Sequence, residues 1–297
     1  MTKEQLFIQL VEQLSSPNLF YGHGVVDAQD EAMMVLMHVL KQQVDEILST
    51  GHEIIVQPCI DKANSFVEQR LTSLKPMAYV LGEVYFCGFS FISDERALVP
   101  RSPFAELIHN GFKPWINMKN INSALDLCTG GGCIGISLAK YNKHIRVDIS
   151  DISDDALSLA KENIDRLSVE VELIQSDLFQ NINETYDLIV TNPPYVSEVE
   201  YDELPKEYKT EPKLGLVADQ DGLKIPVEIM LNAPKYLSEN GLLFLEVGYS
   251  DELLESAFPA IFFEWIEFTS GGDGICVFSR NTLVQHESLF QSFLNKS

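Results

Sequence analysis

The sequence is poor in paired cysteines and long hydrophobic runs, and each shortage argues against a class of protein. Its five cysteines are scattered over 297 residues without a CxxC pair, which disfavours a disulfide framework or a zinc site and suits a reducing compartment. The strongly apolar stretch 32–40 is interrupted by His38, whereas a bilayer-spanning helix needs roughly 20 apolar residues. The opening MTKEQLFIQLVEQL mixes polar with apolar residues, unlike a signal peptide. We therefore expect a cytoplasmic protein with no membrane association and no metal site.

Basic residues are also scarce. The chain has 21 Lys and Arg against 44 Asp and Glu, a formal net charge of −23 at pH 7. Such a charge repels nucleic acid backbones and membrane surfaces and attracts a basic protein. High acidity also keeps a protein soluble whatever its partner. The charge therefore argues against direct DNA binding and permits a basic protein partner, without identifying one.

The first third of the chain predicts two parts. Apolar spacing predicts helices over residues 5–14, from Asp30 to residue 40, and over 60–74, with Asp30 as an N-cap. These helices predict a small helical N-terminal domain, residues 1–82. Two aromatic-rich runs broken by Gly88 predict a linking β-hairpin over 83–100. Residues 101–297 form the second predicted domain, in which Pro103 could open the first helix.

Strands and helices alternate from about residue 121. Predicted strands occupy residues 124–128, 146–150, 171–175, 187–191, 242–247, 265–268 and 275–278, with helices such as 156–167 and 225–237 between them. This alternation predicts an α/β fold with a doubly wound, mostly parallel seven-stranded sheet. The last two runs are close in sequence and predict an antiparallel edge.

A glycine-rich turn follows the first of these strands in ALDLCTGGGCIGI. Gly130, Gly132 and Gly135 have the spacing of the dinucleotide fingerprint. Glycine lets a backbone approach a ligand, and the following helix N-terminus favours an anionic or polar group. Glycine-rich turns also serve as tight connections. The turn alone therefore leaves a binding loop and a structural connection both open.

Three carboxylates stand at the ends of successive predicted strands. Ligands in open α/β sheets bind at the carboxyl ends of the strands, where Asp126, Asp151 and Asp177 lie. Asp126 suits a ligand amine, Asp151 could accept from ribose hydroxyls, and Asp177 could accept from an adenine amino group. The glycine turn has no Lys or Arg to bind phosphate. This combination favours S-adenosylmethionine over a nicotinamide dinucleotide.

The segment YDLIVTNPPY, residues 186–195, ends a buried strand on an unusual corner. Leu188 to Val190 form an apolar run with strong β preference. Pro193 and Pro194 have no backbone N–H and a fixed φ, and Pro193 keeps Asn192 out of the helical region. The corner therefore offers stiff carbonyl acceptors and few donors.

The series DLCTGGG, VDISDIS, SDLF and NPPY, in that order, resembles class I S-adenosylmethionine-dependent methyltransferases that modify nitrogen on planar groups. One departure is Cys128, where the broad pattern often has glycine. The resemblance implies a cofactor-binding set of Asp126, Thr129, Gly130, Gly132, Asp151, Asp177, Leu178 and Asn192.

The resemblance also gives the NPPY corner a catalytic use. NPPY occurs in enzymes that methylate adenine amino groups or glutamine amides, whose nitrogen lone pair is delocalised. The implied catalytic residues are Asn192, Pro193, Pro194 and Tyr195. The Asn192 side-chain oxygen and the Pro193 carbonyl would accept the two N–H bonds and orient the nitrogen. Tyr195 would pack against the planar group.

Further motifs favour the protein-(glutamine) methyltransferase family over DNA adenine methyltransferases, which normally carry a basic domain. PMAYVLGE, LVPR, DQDGL and LEVG recur in the glutamine branch, and the chain resembles it over nearly its full length. PRSPFAELI and YGHGVVDAQDEA resemble the enzymes that act on ribosomal large-subunit protein three. A release-factor glutamine methyltransferase and a non-catalytic ribosome-assembly binding protein remain alternatives. The run SEVEYDELPKEYKTEP, with six acids and two lysines, could bind a basic protein or simply be a solvated loop.

Overall fold

The computed structural model describes residues 1–269 and 271–296. Ser270 and Ser297, which belong to the predicted second domain, lie outside the described residues. The helices are α1 (Lys3–Leu14), α2 (Ala28–Leu40), α3 (Val44–Ser49), α4 (Gln57–Ser73), α5 (Met77–Leu81), α6 (Phe104–Asn110), α7 (Cys133–Tyr141), α8 (Asp154–Leu167), α9 (Glu198–Glu203), α10 (Lys224–Asn232), α11 (Asp251–Ala257), α12 (Arg280–Gln285) and α13 (Glu287–Leu294). The strands are β1 (Glu83–Phe86), β2 (Phe89–Ile92), β3 (Ser123–Leu127), β4 (Arg146–Asp151), β5 (Glu172–Gln175), β6 (Tyr186–Thr191), β7 (Leu237–Glu246), β8 (Glu264–Trp265) and β9 (Ile275–Ser279).

The chain divides into two compact units. The first unit comprises Met1–Val84, Ile92–Arg101 and Pro205–Glu211, and the second takes the remaining segments. The division passes through the two-stranded sheet of β1 and β2. The first unit thus includes a short segment from far along the chain. The functional domain limits 1–82, 83–100 and 101–297 remain predictions.

The first unit is built on helices α1 to α5. Thr2 caps α1 in a capping box with Gln5, in which each side chain bonds the other's backbone N–H. The predicted cap of α2 is wrong. Asp27 accepts from the N–H groups of Gln29 and Asp30, whereas the Asp30 side chain accepts from Val26 N. Asp27 lies one residue before the first helical residue, where a side-chain oxygen can reach the N2 and N3 amides.

A buried ion cluster in the first unit holds the segment Pro205–Glu211. Arg70 is 0% exposed and donates through Nε to Glu31, with Oε1 at 2.9 Å. The same guanidinium lies 3.5 Å from Glu207, which accepts from the backbone of Phe20 at 2.8 Å. Burial raises the pKa of Glu31, although Arg70 opposes the rise. Glu207 is therefore part of a buried core.

Glu211 occupies a second buried position in the same unit. Arg101 binds it with two nitrogens at 2.8 and 3.0 Å, and Val99 donates its N–H at 2.9 Å. His23 Nε2 lies 3.3 Å from the carboxylate. Burial alone would raise the pKa of Glu211, but Arg101 and His23 outweigh it and lower the pKa to about 2. Of the six acids in the acidic run, Glu207 and Glu211 are therefore buried and do not face solvent.

The second unit contains the predicted α/β sheet. Its strand order is β5-β4-β3-β6-β7-β9-β8. The neighbours from β5 to β7 pair in parallel, and β9 is antiparallel to both β7 and β8. The predicted mostly parallel, seven-stranded sheet with an antiparallel edge is confirmed. Strand β8 is shorter than predicted, because only Glu264 and Trp265 pair with β9.

The register of the parallel strands brings their carboxyl ends together. Leu127 of β3 pairs with Ser150 of β4 and with Thr191 of β6, and Thr191 pairs with Leu245 of β7. Aligned carboxyl ends in such a sheet form a crevice for ligands. The turns that follow these strands therefore meet at one edge of the sheet.

The sheet is enclosed on both faces by apolar side chains. Leu125, Ile189, Val190 and Phe244 are all 0% exposed, as expected for strands covered by helices on two sides. Across residues 1–269 and 271–296, we find no helix with the length and apolar character needed to span a bilayer.

Candidate functional site

The glycine turn between β3 and α7 depends on left-handed backbone conformations. Gly130 and Gly132 have φ of +56° and +85°, and Gly132 is the residue before the first turn of α7. Cys128 has φ +60°, a region that favours glycine. This conformation explains why the related pattern often has glycine at the position where this chain has cysteine.

Gly135 lets α7 approach the sheet. A Cβ at this position would lie 2.4 Å from Ile149 Cγ2 and 2.9 Å from Asp126 Cβ. Neither atom belongs to a flexible side-chain end, so a larger residue would push the helix away from β3 and β4. Gly135 therefore has the third role of the fingerprint, which is close packing of helix and strand.

Asp126 is buried beneath the glycine turn. It is 0% exposed, and its Oδ2 accepts from Thr129 Oγ1 at 2.5 Å and from Gly135 N at 2.8 Å. Its Oδ1 has no hydrogen-bond partner in the part of the chain that the structure describes. Burial raises the pKa of Asp126 to about 7, with a smaller contribution from Asp151 and opposition from the two hydrogen bonds. Asp126 thus supports the turn and, within residues 1–269 and 271–296, keeps one acceptor oxygen without a donor.

We expect Asp126→Asn to flatten the pH dependence of stability in the ligand-free protein. A carboxyl with a raised folded-state pKa contributes stability below its unfolded pKa and loses it as pH rises through the folded value, here from about 3.8 to about 7. Between pH 5 and 8 the wild type should lose on the order of 2 kcal/mol more than the variant. Urea unfolding of both proteins at the two pH values measures the difference. Equal losses would contradict the assignment.

Asp151 lies on the other side of the glycine turn, at the end of β4. Its Oδ2 accepts from Gly130 N at 2.8 Å and its Oδ1 from Ser153 N at 2.9 Å. Burial raises the pKa of Asp151, and these backbone donors oppose the rise. The half-buried carboxylate keeps lone pairs for further donors. The structure therefore brings Asp126 and Asp151 together around the turn.

Asp177 and Leu178 lie in the turn after the neighbouring strand β5. Asp177 is exposed and accepts from Gln180 Nε2 at 2.9 Å. Leu178 has φ +46°, its carbonyl accepts from Ser176 Oγ at 2.6 Å, and its side chain packs partly against the core. Asp177 therefore stands in a more open position than the other two carboxylates.

The NPPY corner is fixed to the end of β3. Thr191 Oγ1 donates to Leu127 O at 2.7 Å, which joins the last residue of β6 to the strand that enters the glycine turn. The next side chain, Asn192, is half-buried and has no hydrogen-bond partner among residues 1–269 and 271–296. Within the same residues no donor reaches the Pro193 carbonyl. The two predicted acceptors are therefore unpaired within the described protein.

Tyr195 is positioned by two glycines, whose sequence signal is only that they belong to the DQDGL and LEVG motifs. A Cβ on Gly222 (φ +86°) would lie 2.2 Å from the Tyr195 carbonyl oxygen. A Cβ on Gly248 (φ +51°) would lie 2.7–2.8 Å from atoms of the Tyr195 ring. Ser250 Oγ also donates to Tyr195 O at 3.3 Å. Small residues in DQDGL and LEVG thus fix both the backbone and the ring of Tyr195.

A buried pair connects the PRSP and LEVG motifs. Ser102 Oγ lies 2.5 Å from Glu246 Oε2 and accepts from Phe104 N at 3.1 Å, so its hydroxyl proton points to the carboxylate. Glu246 is the last residue of β7 and directly follows Leu245, the partner of Thr191. Sequence reasoning missed this pair, because the two residues are 144 positions apart.

A cleft of about 610 Å³ lies beside the corner. Val196 donates to Leu216 O and accepts from Ala218 N, each at 2.9 Å, so one wall of the cleft is attached directly after Tyr195. Its lining includes Asp177, Glu198, Lys213, Leu214, Asp219 and Glu228. The cleft has mixed charge, because its lining contains Lys213 and Lys224 as well as four acids, and Lys213 pairs with Glu198 at 2.7 Å.

Comparison with known proteins agrees with this geometry. The family model "Methyltransferase small domain" matches residues 114–206. A "Ribosomal protein uL3 glutamine methyltransferase" of Xylella fastidiosa (strain Temecula1) is 45% identical over 276 residues, which is 92% of this chain and 88% of the relative. A protein of the same name from Xanthomonas campestris pv. campestris is 45% identical over 93% of this chain and 90% of the relative. The chain belongs to the uL3 glutamine methyltransferase family.

The fold of this methyltransferase is shared with more distant proteins. One is the catalytic domain of hMettl16, solved in complex with MAT2A 3'UTR hairpin 6. The match spans 75% of this chain and 82% of the hMettl16 chain. The TM-score is 0.51 at 17% sequence identity. At that identity the likeness shows the sheet and its helices and nothing about the substrate.

The cofactor of this methyltransferase is S-adenosylmethionine, and the residues at the sheet edge fit it. The buried Oδ1 of Asp126, which has no hydrogen-bond partner among the described residues, suits a positively charged amine near the turn. Asp151 and Asp177 offer acceptors at the ends of β4 and β5, as hydroxyl and amino groups require. The turn CTGGGCIG has no Lys or Arg, consistent with a ligand that carries no phosphate.

We expect Asp151→Ala to weaken cofactor binding. The change removes a charged acceptor and also the partner of the Gly130 N–H, so Kd should rise by about 5- to 150-fold, equivalent to about 1–3 kcal/mol. Calorimetric titration with S-adenosylmethionine measures the change. Asp155→Ala is the matched control, since this exposed acid lies four positions further along, in the first turn of α8. Unchanged affinity in Asp151→Ala would contradict the role.

Proposed function

We propose that this methyltransferase transfers a methyl group to the side-chain amide nitrogen of a glutamine in ribosomal protein uL3. The observation that carries the proposal is the pair of acceptors at Asn192 and Pro193, which have no donors of their own within the described residues. The names of the curated relatives support uL3 as the substrate. The net charge of −23 suits a basic protein partner.

The proposed chemistry needs the corner to hold a weakly nucleophilic nitrogen. An amide NH2 has two N–H bonds, and the Asn192 side-chain oxygen and the Pro193 carbonyl can each accept one. When both acceptors hold it, the nitrogen can become pyramidal, and its lone pair then points in a fixed direction. The acceptors also stabilise the positive charge that develops on the nitrogen. Pro193 and Pro194 stiffen the backbone that carries them.

The cofactor, when bound, supplies a methyl group activated by its sulfonium sulfur. We assign its binding to Asp126, Thr129, Gly130, Gly132, Asp151, Asp177, Leu178 and Asn192. Tyr195, held by Gly222 and Gly248, packs against the planar amide in this proposal. We also propose that residues 1–82 recognise the substrate, that 83–100 link the domains and that 101–297 bind the cofactor. A cytoplasmic location and the absence of DNA binding belong to the same proposal.

Mass spectrometry of purified uL3 and of a peptide chain release factor tests the substrate. Each protein is incubated with the enzyme and S-adenosylmethionine, and the expected result is one added methyl group on a glutamine of uL3. Methylation of the release factor with uL3 untouched would replace the proposed substrate. Binding of uL3 without turnover and without measurable cofactor affinity would support the ribosome-assembly alternative.

A further inference from the structure

An exposed aromatic and acidic patch follows the LEVG motif. Tyr249 is 94% exposed, and Leu253, four positions later, is 41% exposed. Asp251 and Glu252 lie between them in the first turn of α11, and in the described part of the chain neither carboxylate has an ion-pair partner. We call Tyr249, Asp251, Glu252 and Leu253 the Tyr249 patch. A single exposed apolar residue is ordinary on a protein surface, so the position of the patch decides its meaning.

The Tyr249 patch is attached directly to the NPPY corner. Tyr249 stands between Gly248, whose Cα faces the ring of Tyr195, and Ser250, whose hydroxyl donates to the Tyr195 carbonyl. Both sequence neighbours of this exposed ring therefore contact Tyr195. The backbone that carries Tyr249 therefore lies next to the corner that begins at Asn192.

The turn that presents Tyr249 is fixed. Val247 N donates to Gly274 O at 2.7 Å, and Ser250 N donates to Val247 O at 3.0 Å. A Cβ on Gly274 (φ +77°) would lie only 1.9 Å from Gly248 O, so two glycine backbones are in direct contact. Because the backbone of this turn is fixed, only the side-chain torsions of Tyr249 have to be ordered when the ring binds a partner.

The chemistry of the patch selects a cationic partner. A Lys or Arg side chain over the face of a tyrosine ring gains a cation–π interaction. The carboxylates of Asp251 and Glu252, which have no ion-pair partner among the described residues, add an attraction for the same cation. The exposed side chain of Leu253 can pack against the methylene groups of such a Lys or Arg side chain. Tyrosine and arginine are also enriched among residues that dominate protein interfaces.

We propose that the Tyr249 patch binds a Lys or Arg side chain that lies close in sequence to the target glutamine of the protein substrate. This inference rests on the proposed function and adds a residue that recognises the substrate. Tyr249 acts on substrate affinity, while Asn192 and Pro193 act on the amide itself. The two roles separate in steady-state kinetics.

The experiment compares wild type, Tyr249→Ala, Tyr249→Phe and Phe262→Ala with uL3 as substrate. Tyr249→Ala should raise the KM for uL3 about 10-fold, with kcat, Tm and the Kd for S-adenosylmethionine unchanged. Tyr249→Phe keeps the ring and should stay within about twofold of wild type. Phe262→Ala is the matched control, because Phe262 is 83% exposed. Phe262 precedes β8, which runs in the same direction as β7. It therefore lies toward the amino ends of the strands, whereas the Tyr249 patch follows a carboxyl end.

Each outcome of this comparison decides a separate point. An active wild type with the same KM in Tyr249→Ala would overturn the patch and leave the proposed function standing. A fall in kcat or Tm in Tyr249→Ala would also overturn it, since the ring would then act on the corner or the fold. A wild type that leaves uL3 unmethylated would overturn the proposed function, and the patch proposal with it.

Discussion

Asn192→Ala should lower kcat for amide methylation by about 10²–10³-fold, the largest effect on turnover that we expect. The side chain supplies one of two acceptors, and the structure gives that acceptor no other partner among the described residues. Because the interaction strengthens as charge develops on the nitrogen, its loss should appear in kcat more than in KM. The Kd for S-adenosylmethionine should stay close to the wild-type value, because the other seven residues assigned to the cofactor remain in place. Stopped assays with uL3 and calorimetric titration with the cofactor measure the two quantities.

Asn240→Ala provides the matched control for this substitution. Asn240 is an exposed residue in the first half of β7, at the edge of the sheet away from the corner. Its replacement removes the same amide and should leave kcat within about twofold, as expected for surface changes. If Asn192→Ala lost only cofactor affinity and kept its kcat, the catalytic role would be wrong.

Gly222→Ala should have the largest effect on stability, about 3 kcal/mol from backbone strain and overpacking together. The new Cβ would lie 2.2 Å from the Tyr195 carbonyl oxygen and 2.9 Å from its carbon. Both atoms are backbone, so the corner itself has to shift. We therefore expect kcat to fall along with the free energy of unfolding. Urea unfolding and the uL3 assay on the same preparation measure both.

Gly271→Ala separates the two causes of that loss. Gly271 has φ +83°, close to the +86° of Gly222, and among the described residues no atom lies within 4 Å of a Cβ placed there. This control carries the strain of a left-handed alanine, about 1 kcal/mol, without the clash. Equal losses in the two variants would show that the contact with Tyr195 is unimportant. A larger loss in Gly222→Ala assigns the difference to the corner.

The sheet could be predicted from sequence because its signals are local. The apolar run before NPPY and the alternation of strands with helices lie in short windows, and five parallel strands formed where they were expected. The strand-end positions of Asp126, Asp151 and Asp177 could be predicted for the same reason, because each acid lies in its strand or within two positions after it in the sequence. The cap of α2 was misplaced because Asp27 and Asp30 are equally suitable by residue type. Only the backbone conformation, extended at Asp27, separates them.

Contacts between distant residues could not be predicted. Ser102 and Glu246 are 144 positions apart, and Arg101 and Glu211 are 110 apart. The sequence predicts that the acidic run after Tyr195 either binds a basic protein or is a solvated loop, yet Glu207 and Glu211 are 2% and 3% exposed. Nothing in the composition of that run distinguishes them from their exposed neighbours Glu200 and Asp202. Burial of a carboxylate is decided by a partner that only the folded chain brings near.

The membership of Pro205–Glu211 in the first unit limits how this enzyme can be dissected. A fragment that starts at residue 102 would retain Glu207 and Glu211 but lack Arg70, Arg101 and the Val99 amide that neutralise or bind them. The complementary fragment would keep the Arg70–Glu31 pair but lose Glu207, the acceptor of the Phe20 N–H, and Glu211, the partner of Arg101. Neither half is therefore a self-sufficient module, although the sequence suggests a cut between two consecutive domains. Truncation between residues 101 and 102 would therefore leave polar groups without their partners in both fragments.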